Sequence, residues 1–340
     1  MGGKSYRRSR GLSIKPERQN SQYILCSKAL RDTAKTFAVR NPTAWIQLCC
    51  AFRYGRDDLD VIGLSFRKDI WYQQIQLYPQ ADHKPAKTAM HEALMTKAGE
   101  QGIPFTFTIP TNLPCSVTLQ PGEEDKGKAC GVDFEVKGYV ANAAEDPDEK
   151  IEKKDTCRLV IRKIQFAPDK TSSGPSQEAS KNSISITASL DKEIYYHGEA
   201  IPIKVKATNN SGKTMKKVKV QIDQTTDVVL YSADKYTKNV VNEEFDVTVD
   251  SGASLDKSFS VTPLLANNKE KKGLALDGRL KDEDTNLAST TVIRPGMEKE
   301  VLGILVTYKI KVTLTTGGGG DAVVELPLIL MNPKPAERIP

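Results

Sequence analysis

The sequence predicts an all-β protein built from two antiparallel β-sandwich domains, immunoglobulin-like in style, with one short helix on the first. Three observations carry that expectation. Apolar residues alternate with polar ones at period two in many short segments. Gly, Asn, Asp and Pro turns separate those segments. Long helical segments that could serve as crossovers of a parallel α/β fold are missing from the pattern.

Residues 1–43 are polar, basic and weakly periodic, and little ordered structure is expected there; Tyr23–Cys26 reads as a strand or as nothing. From Ala44 the texture changes. AWIQLCCAFRYG reads as a strand ending at a turn, LDVIGLSF (59–66) as a second strand, and IWYQQIQLYP as a third. In AKTAMHEALMTKAG, Met90, Leu94 and Ala98 recur every four residues and Gly99 supplies a stop, so a helix of about three turns is expected, with His91 exposed on it. Strands return at 103–109, 115–120, 130–140 and 156–166. Pro, Ser and Gly cluster over 167–183, which marks the interdomain linker. This gives a partial first domain at 44–168, a linker at 169–183, a second domain at 184–335 and a short tail at 336–340.

The second half alternates more cleanly. Ile184, Ile186, Ala188 and Leu190 form one set, and Ile201, Ile203, Val205 and Ala207 another. Leu302 through Leu314 keep strict period two, as do Val324, Leu326, Leu328 and Leu330, with Pro327 hinting at an edge position.

Composition narrows the function classes. The 340 residues hold 49 basic and 43 acidic side chains, a net charge of +6, which favours negatively charged partners. No apolar run approaches the roughly 18 residues of a membrane span, and the basic, polar start is not a secretory signal. Cysteines 26, 49, 50, 115, 130 and 157 show no metal-site spacing and read mostly as small buried hydrophobes. The three histidines, His83, His91 and His197, fall in no catalytic or metal motif, and Gly317–Gly320 is followed by no P-loop lysine. Neither an enzyme nor a cofactor is expected. Lysine clusters without interleaved aromatics argue against nucleic acid.

Charge on strands is what remains. In CRLVIRKIQF, alternation puts Leu159 and Ile161 on one face and Arg158, Val160 and Arg162 on the other. An arginine on a core-facing side needs a carboxylate, because a buried unpaired charge is very costly. Asp277 and Asp284, in the polar stretch GLALDGRLKDEDTN, can supply one if that loop reaches Arg162; separate surface charges are the alternative.

The blocks CAFRYGRDDLDVIGLSFRKD, QPGEEDKGKACGVDFEVK, RLVIRKIQFAP, DKEIYYHGE, VTPLLANNKEKKGLALDGRLKDEDTNLAS and ILVTYKIKV together resemble the arrestin family, from about Leu48 to Pro335, with wording closer to the retinal, rod-type members. The resemblance implies two sandwiches joined by a hinge, and binding to activated, phosphorylated G-protein-coupled receptors, with rhodopsin or a cone opsin as the receptor of the visual subtype. It implies that Arg162, Asp277 and Asp284 form a polar core that senses phosphate. Lys153, Lys154, Arg158 and Lys281 match basic positions associated with receptor phosphates, and Arg53 lies beside them on the strand entering the finger. Tyr54, Gly55, Arg56, Asp57, Asp58, Leu59, Asp60, Val61, Ile62 and Gly63 match the receptor-probing finger loop. The implied location is the cytoplasm, in photoreceptor segments for the visual subtype, with at most weak membrane contact through the glycine-rich tip; self-association stays open. The competing reading is an arrestin-like trafficking adaptor that does not sense phosphate.

Two departures shape these expectations. Residues 1–43 do not resemble the family's opening strands, which would leave the Met90, Leu94, Ala98 stripe uncovered. The chain also stops soon after MNPKP, without the family's acidic tail. Weaker dependence on receptor phosphorylation and no clathrin or adaptor binding are the expected consequences.

Overall fold

A computed structural model of the chain describes residues 21–26, 42–55, 65–79, 91–92, 95–96, 103–120, 129–142, 156–168, 172–230, 234–278, 285–293, 302–316 and 320–333. It is almost entirely β. The first strands are β1 (Ser21–Cys26), β2 (Pro42–Gly55), β3 (Ser65–Tyr78), β4 (Pro104–Ile109), β5 (Val117–Leu119), β6 (Ala129–Asn142) and β7 (Thr156–Ile161). The second set comprises β8 (Ser176–Lys181), β9 (Ile184–Leu190), β10 (Ile194–Tyr196), β11 (Ile201–Asn209), β12 (Met215–Val228), β13 (Asp234–Val249) and β14 (Ser254–Val261). A short 3-10 turn at Leu265–Asn268 leads to β15 (Ala275–Asp277), and β16 (Ile304–Thr316) and β17 (Ala322–Met331) close the chain's strands.

The chain forms two compact units. One draws on the described residues of Met1–Cys49, Trp71–Leu113 and Glu135–Leu159; the other on those of Cys50–Ile70, Pro114–Phe134 and Val160–Pro340. Grouping by packing therefore runs across β2, β3, β6 and β7 instead of following the sequence. Each 14-residue strand is roughly 45 Å long at the usual rise.

In the first unit β1 pairs antiparallel with β4, from Ser21 opposite Ile109 to Cys26 opposite Pro104. Tyr23–Cys26 is thus a strand, within a segment expected to be little ordered. Phe105, Phe107 and Ile109 of β4 are buried by strict alternation. Of the expected helix, His91, Glu92, Met95 and Thr96 are described and helical; Met90, Leu94 and Ala98 lie outside the described residues. His91 is not exposed as the sequence suggested but 2% accessible. Its Nε2 lies 3.2 Å from the Thr106 hydroxyl and 3.4 Å from the Phe105 carbonyl.

The second unit contains a complete sandwich. Sheet β10-β17-β16-β12-β13 packs on sheet β14-β11-β9-β8, all antiparallel except the short β10–β17 pair. Ile186, Ile203, Val205, Val220, Ile310 and Val312 are fully buried between them. The alternation read from the sequence is the burial pattern observed: β9 is buried at every second residue, as is β11. Pro327 sits on an inner strand, but β10 pairs only with Ile329–Met331, so β17 is an edge locally where the proline falls.

Two strand expectations change. LDVIGLSF and IWYQQIQLYP were read as separate strands; Ser65 and Phe66 of the first belong to one continuous strand with the second, Ser65–Tyr78, and residues 59–64 lie outside the described residues. The exposed charges Arg67, Lys68 and Asp69 interrupt the apolar alternation without interrupting the backbone. The 169–183 segment read as linker contains β8, which pairs with β9 across a two-residue turn. Asn182 and Ser183 both hold positive φ, 51° and 63°, the conformation of a tight hairpin loop. Of the cysteines, Cys49 and Cys50 are buried, Cys115 and Cys130 are half-buried, and Cys157 is exposed.

Candidate functional site

β15 places the first candidate carboxylate. It pairs with β5, Ala275 opposite Leu119 and Asp277 opposite Val117. The chain then enters residues 279–284 and returns alongside β15. The Ala288 N–H donates to Ala275 O at 2.9 Å, and the Asp277 N–H donates to Asn286 O at 3.0 Å. The Thr285 hydroxyl closes the neck by donating to Asp277 O at 2.6 Å. From behind, buried Gln224 brackets Ala275: it donates to the carbonyl at 2.9 Å and accepts from the N–H at 2.8 Å. Gln224 also donates to the Tyr308 hydroxyl, which donates to Ala288 O. Burial pushes the Tyr308 phenol up, so it stays a neutral donor.

Asp277 is 4% exposed. Among the described residues its carboxylate is held by Ser289, Asn332 and His197. Ser289 N–H donates to Oδ1 at 2.8 Å, and the Ser289 hydroxyl and the Asn332 amide donate to Oδ2 at 3.1 and 2.9 Å. His197 Nε2 lies 3.6 Å from Oδ2 and 3.0 Å from the Ser289 hydroxyl. Burial pushes the His197 imidazole below its ordinary value, against the opposing pull of Asp277, which favours its neutral form. Sequence reading missed His197, Ser289 and Asn332, which lie 80, 12 and 55 residues from Asp277. The hydrophilic YYHGE turn gave no sign that its histidine is enclosed.

Arg162 follows β7 and reaches this neck. Its Nη1 donates to the Gly278 carbonyl at 3.2 Å, one residue beyond Asp277. Asp284, Lys281, Lys153 and Lys154 lie outside the described residues, as do Arg56 to Gly63 of the finger loop. Tyr54, at the end of β2, is 41% exposed. Arg158 is half-exposed, with Nε 3.6 Å from the buried Glu135 carboxylate. Arg53 was expected on a basic surface, but its side chain is only 15% exposed and lies 3.6 Å from Asp133. Its place inside β2 turns it to a neighbour on β6 and away from solvent. Among the described residues no group of three or more His, Cys, Asp or Glu could hold a metal, and no helix is long and apolar enough to cross a membrane.

These features define a class: a scaffold of β-sandwiches in which an arginine meets the neck of a loop anchored by a buried aspartate. The N-terminal domain model of arrestin (or S-antigen) matches residues 30–167, and the C-terminal domain model matches 180–335. The chain belongs to the arrestin family, whose fold is a non-catalytic scaffold for regulating G-protein-coupled receptors. It is similar to Arrestin-C of Lithobates pipiens, 54% identical over 308 residues, covering 86% of this chain and 78% of the relative. Arrestin-C of Homo sapiens is 52% identical over 310 residues, 86% and 79% covered. Beta-arrestin-2 of Bos taurus is 51% identical over 308 residues, 88% and 73% covered. The two names among these relatives place the chain in the family without choosing a subtype. The family match begins at residue 30, so it extends further towards the N-terminus than the motif blocks indicated.

Proposed function

We propose that this chain binds an activated, phosphorylated G-protein-coupled receptor at its cytoplasmic face and blocks G-protein coupling, with rhodopsin or a cone opsin as receptor. The observation that carries the reading is Arg162 seated on the Gly278 carbonyl, beside buried Asp277. A receptor phosphate carries a charge of about −1.5 to −2. It is a stronger acceptor for a guanidinium than a neutral carbonyl, so it can draw Arg162 from the neck. Released, the neck loses its tie to the segment bearing Arg162, and the scaffold can rearrange. In this reading Asp284 is a counterion of Arg162. Lys153, Lys154, Arg158 and Lys281 collect phosphates, and residues 54–63 probe the receptor cavity. Arg53, enclosed and paired, has a structural role.

A membrane-sedimentation assay tests this directly. The chain is mixed with membranes holding rhodopsin that is dark, light-activated, or light-activated and phosphorylated. Binding is expected to rise in that order. Equal sedimentation with all three would refute receptor-state sensing and favour a trafficking adaptor.

A further inference from the structure

Gly278 sits where no side chain fits. It continues the β15–β5 pairing, and its N–H donates to Ser116 O at 3.0 Å. A Cβ at this position would lie 2.4 Å from the Ser116 Cβ and 3.3 Å from both the Ser116 hydroxyl oxygen and Arg162 Cγ. The first of these is far inside van der Waals contact. The missing side chain is thus what lets residue 278 lie against Ser116, with the Arg162 stem packed close beside it. Gly278 does not occupy the left-handed region, so an alanine there brings a packing conflict without backbone strain.

Ser116 also grips the other partner. Its N–H donates to Lys163 O at 2.9 Å, and its hydroxyl accepts from the Lys163 N–H at 3.0 Å. A single residue, 3% exposed, is therefore bonded to Gly278 on one side and to the neighbour of Arg162 on the other. We infer that Ser116 and Gly278 are positioning residues that latch the segment bearing Arg162 to the loop neck and so set how readily a phosphate removes Arg162. This rests on the proposed reading of Arg162 as the phosphate sensor.

The test compares the full chain with Gly278→Ala, Ser116→Gly, Ser116→Ala and the two pairings with Gly278→Ala. Two readouts are taken: hydrogen exchange of the residue-278 amide, which needs no receptor, and the ratio of binding to phosphorylated over unphosphorylated light-activated rhodopsin. Gly278→Ala is expected to speed exchange and lower the ratio, each by about fivefold or more, the lower end of a typical coupling between sites. Adding Ser116→Gly, which removes the clashing Cβ, is expected to return exchange to the Ser116→Gly level; Ser116→Ala, which keeps the Cβ, gives no such rescue. Unchanged exchange and ratio in Gly278→Ala, or equal rescue by both serine variants, overturns the latch. If Gly278→Ala alone does not fold, recovery of folding in the Gly278→Ala/Ser116→Gly pair supports it, and failure of both overturns it. Loss of receptor discrimination in the parent chain would refute the sensor reading instead, leaving the exchange arm to decide the latch.

Discussion

Ser289 grips both oxygens of the Asp277 carboxylate, its N–H donating to Oδ1 at 2.8 Å and its hydroxyl to Oδ2 at 3.1 Å. This makes Asp277 an anchor of the second sandwich as well as a neighbour of Arg162.

Asp277→Ala strips the acceptor from the Ser289 and Asn332 donors in a closed site. At about 1–3 kcal/mol for each unsatisfied buried group, a loss of roughly 3 kcal/mol is expected. Ser289→Ala keeps the backbone bond to Oδ1 and is expected to cost about 1–2 kcal/mol. Urea unfolding of both variants checks the order; equal losses would mean the hydroxyl carries the anchor alone.

His197 makes stability depend on pH. Its folded value lies below the ordinary one, so the unfolded chain binds more protons as pH falls. Stability contributed by neutral His197 is therefore fully present above the unfolded value of about 6.5 and declines as pH drops below it towards the lowered folded value. His197→Gln, which retains an amide donor without titrating, is expected to flatten the decline of unfolding midpoints below about pH 6.5 relative to the parent. An unaltered slope would assign the pH dependence elsewhere.

Tyr308→Phe removes the hydroxyl that donates to Ala288 O and accepts from Gln224. With both buried partners left short, a loss of about 2 kcal/mol is expected in equilibrium unfolding. A fully neutral substitution would show that the network behind β15 does not hold the neck.

Ser183 occupies the left-handed region at φ 63°, next to Asn182 at 51°. Ser183→Gly creates the Asn-Gly pair favoured in such loops and is expected to stabilise the hairpin by about 0.5–1 kcal/mol. A lower melting temperature would contradict this account of the turn.

What could be read in advance followed from locality. β9, β11, β16 and β17 were legible because each carries its period-two pattern within its own residues. β3 was split because Arg67–Asp69 are exposed on both faces, which mimics a turn. β8 was hidden because SQEASK is nearly all exposed and its strand state comes from the hairpin with β9. At the site, Arg162 was legible as a charge on an alternating strand pattern, while Asp277, in a polar stretch, was singled out by the family resemblance. The real partners of Asp277 were not, since Ser289, His197 and Asn332 are ordinary polar residues until the fold encloses them.

The most direct measurement of the central claim is the binding of Arg162→Glu to light-activated rhodopsin with and without phosphorylation. Reversing the charge removes the donor to Gly278 O and should leave the neck in its released form. Binding to the unphosphorylated active receptor is then expected to rise by about fivefold or more, narrowing the gap to the phosphorylated form. An unchanged gap between the two receptor forms, in a variant that folds as well as the parent, would contradict Arg162 as the phosphate sensor.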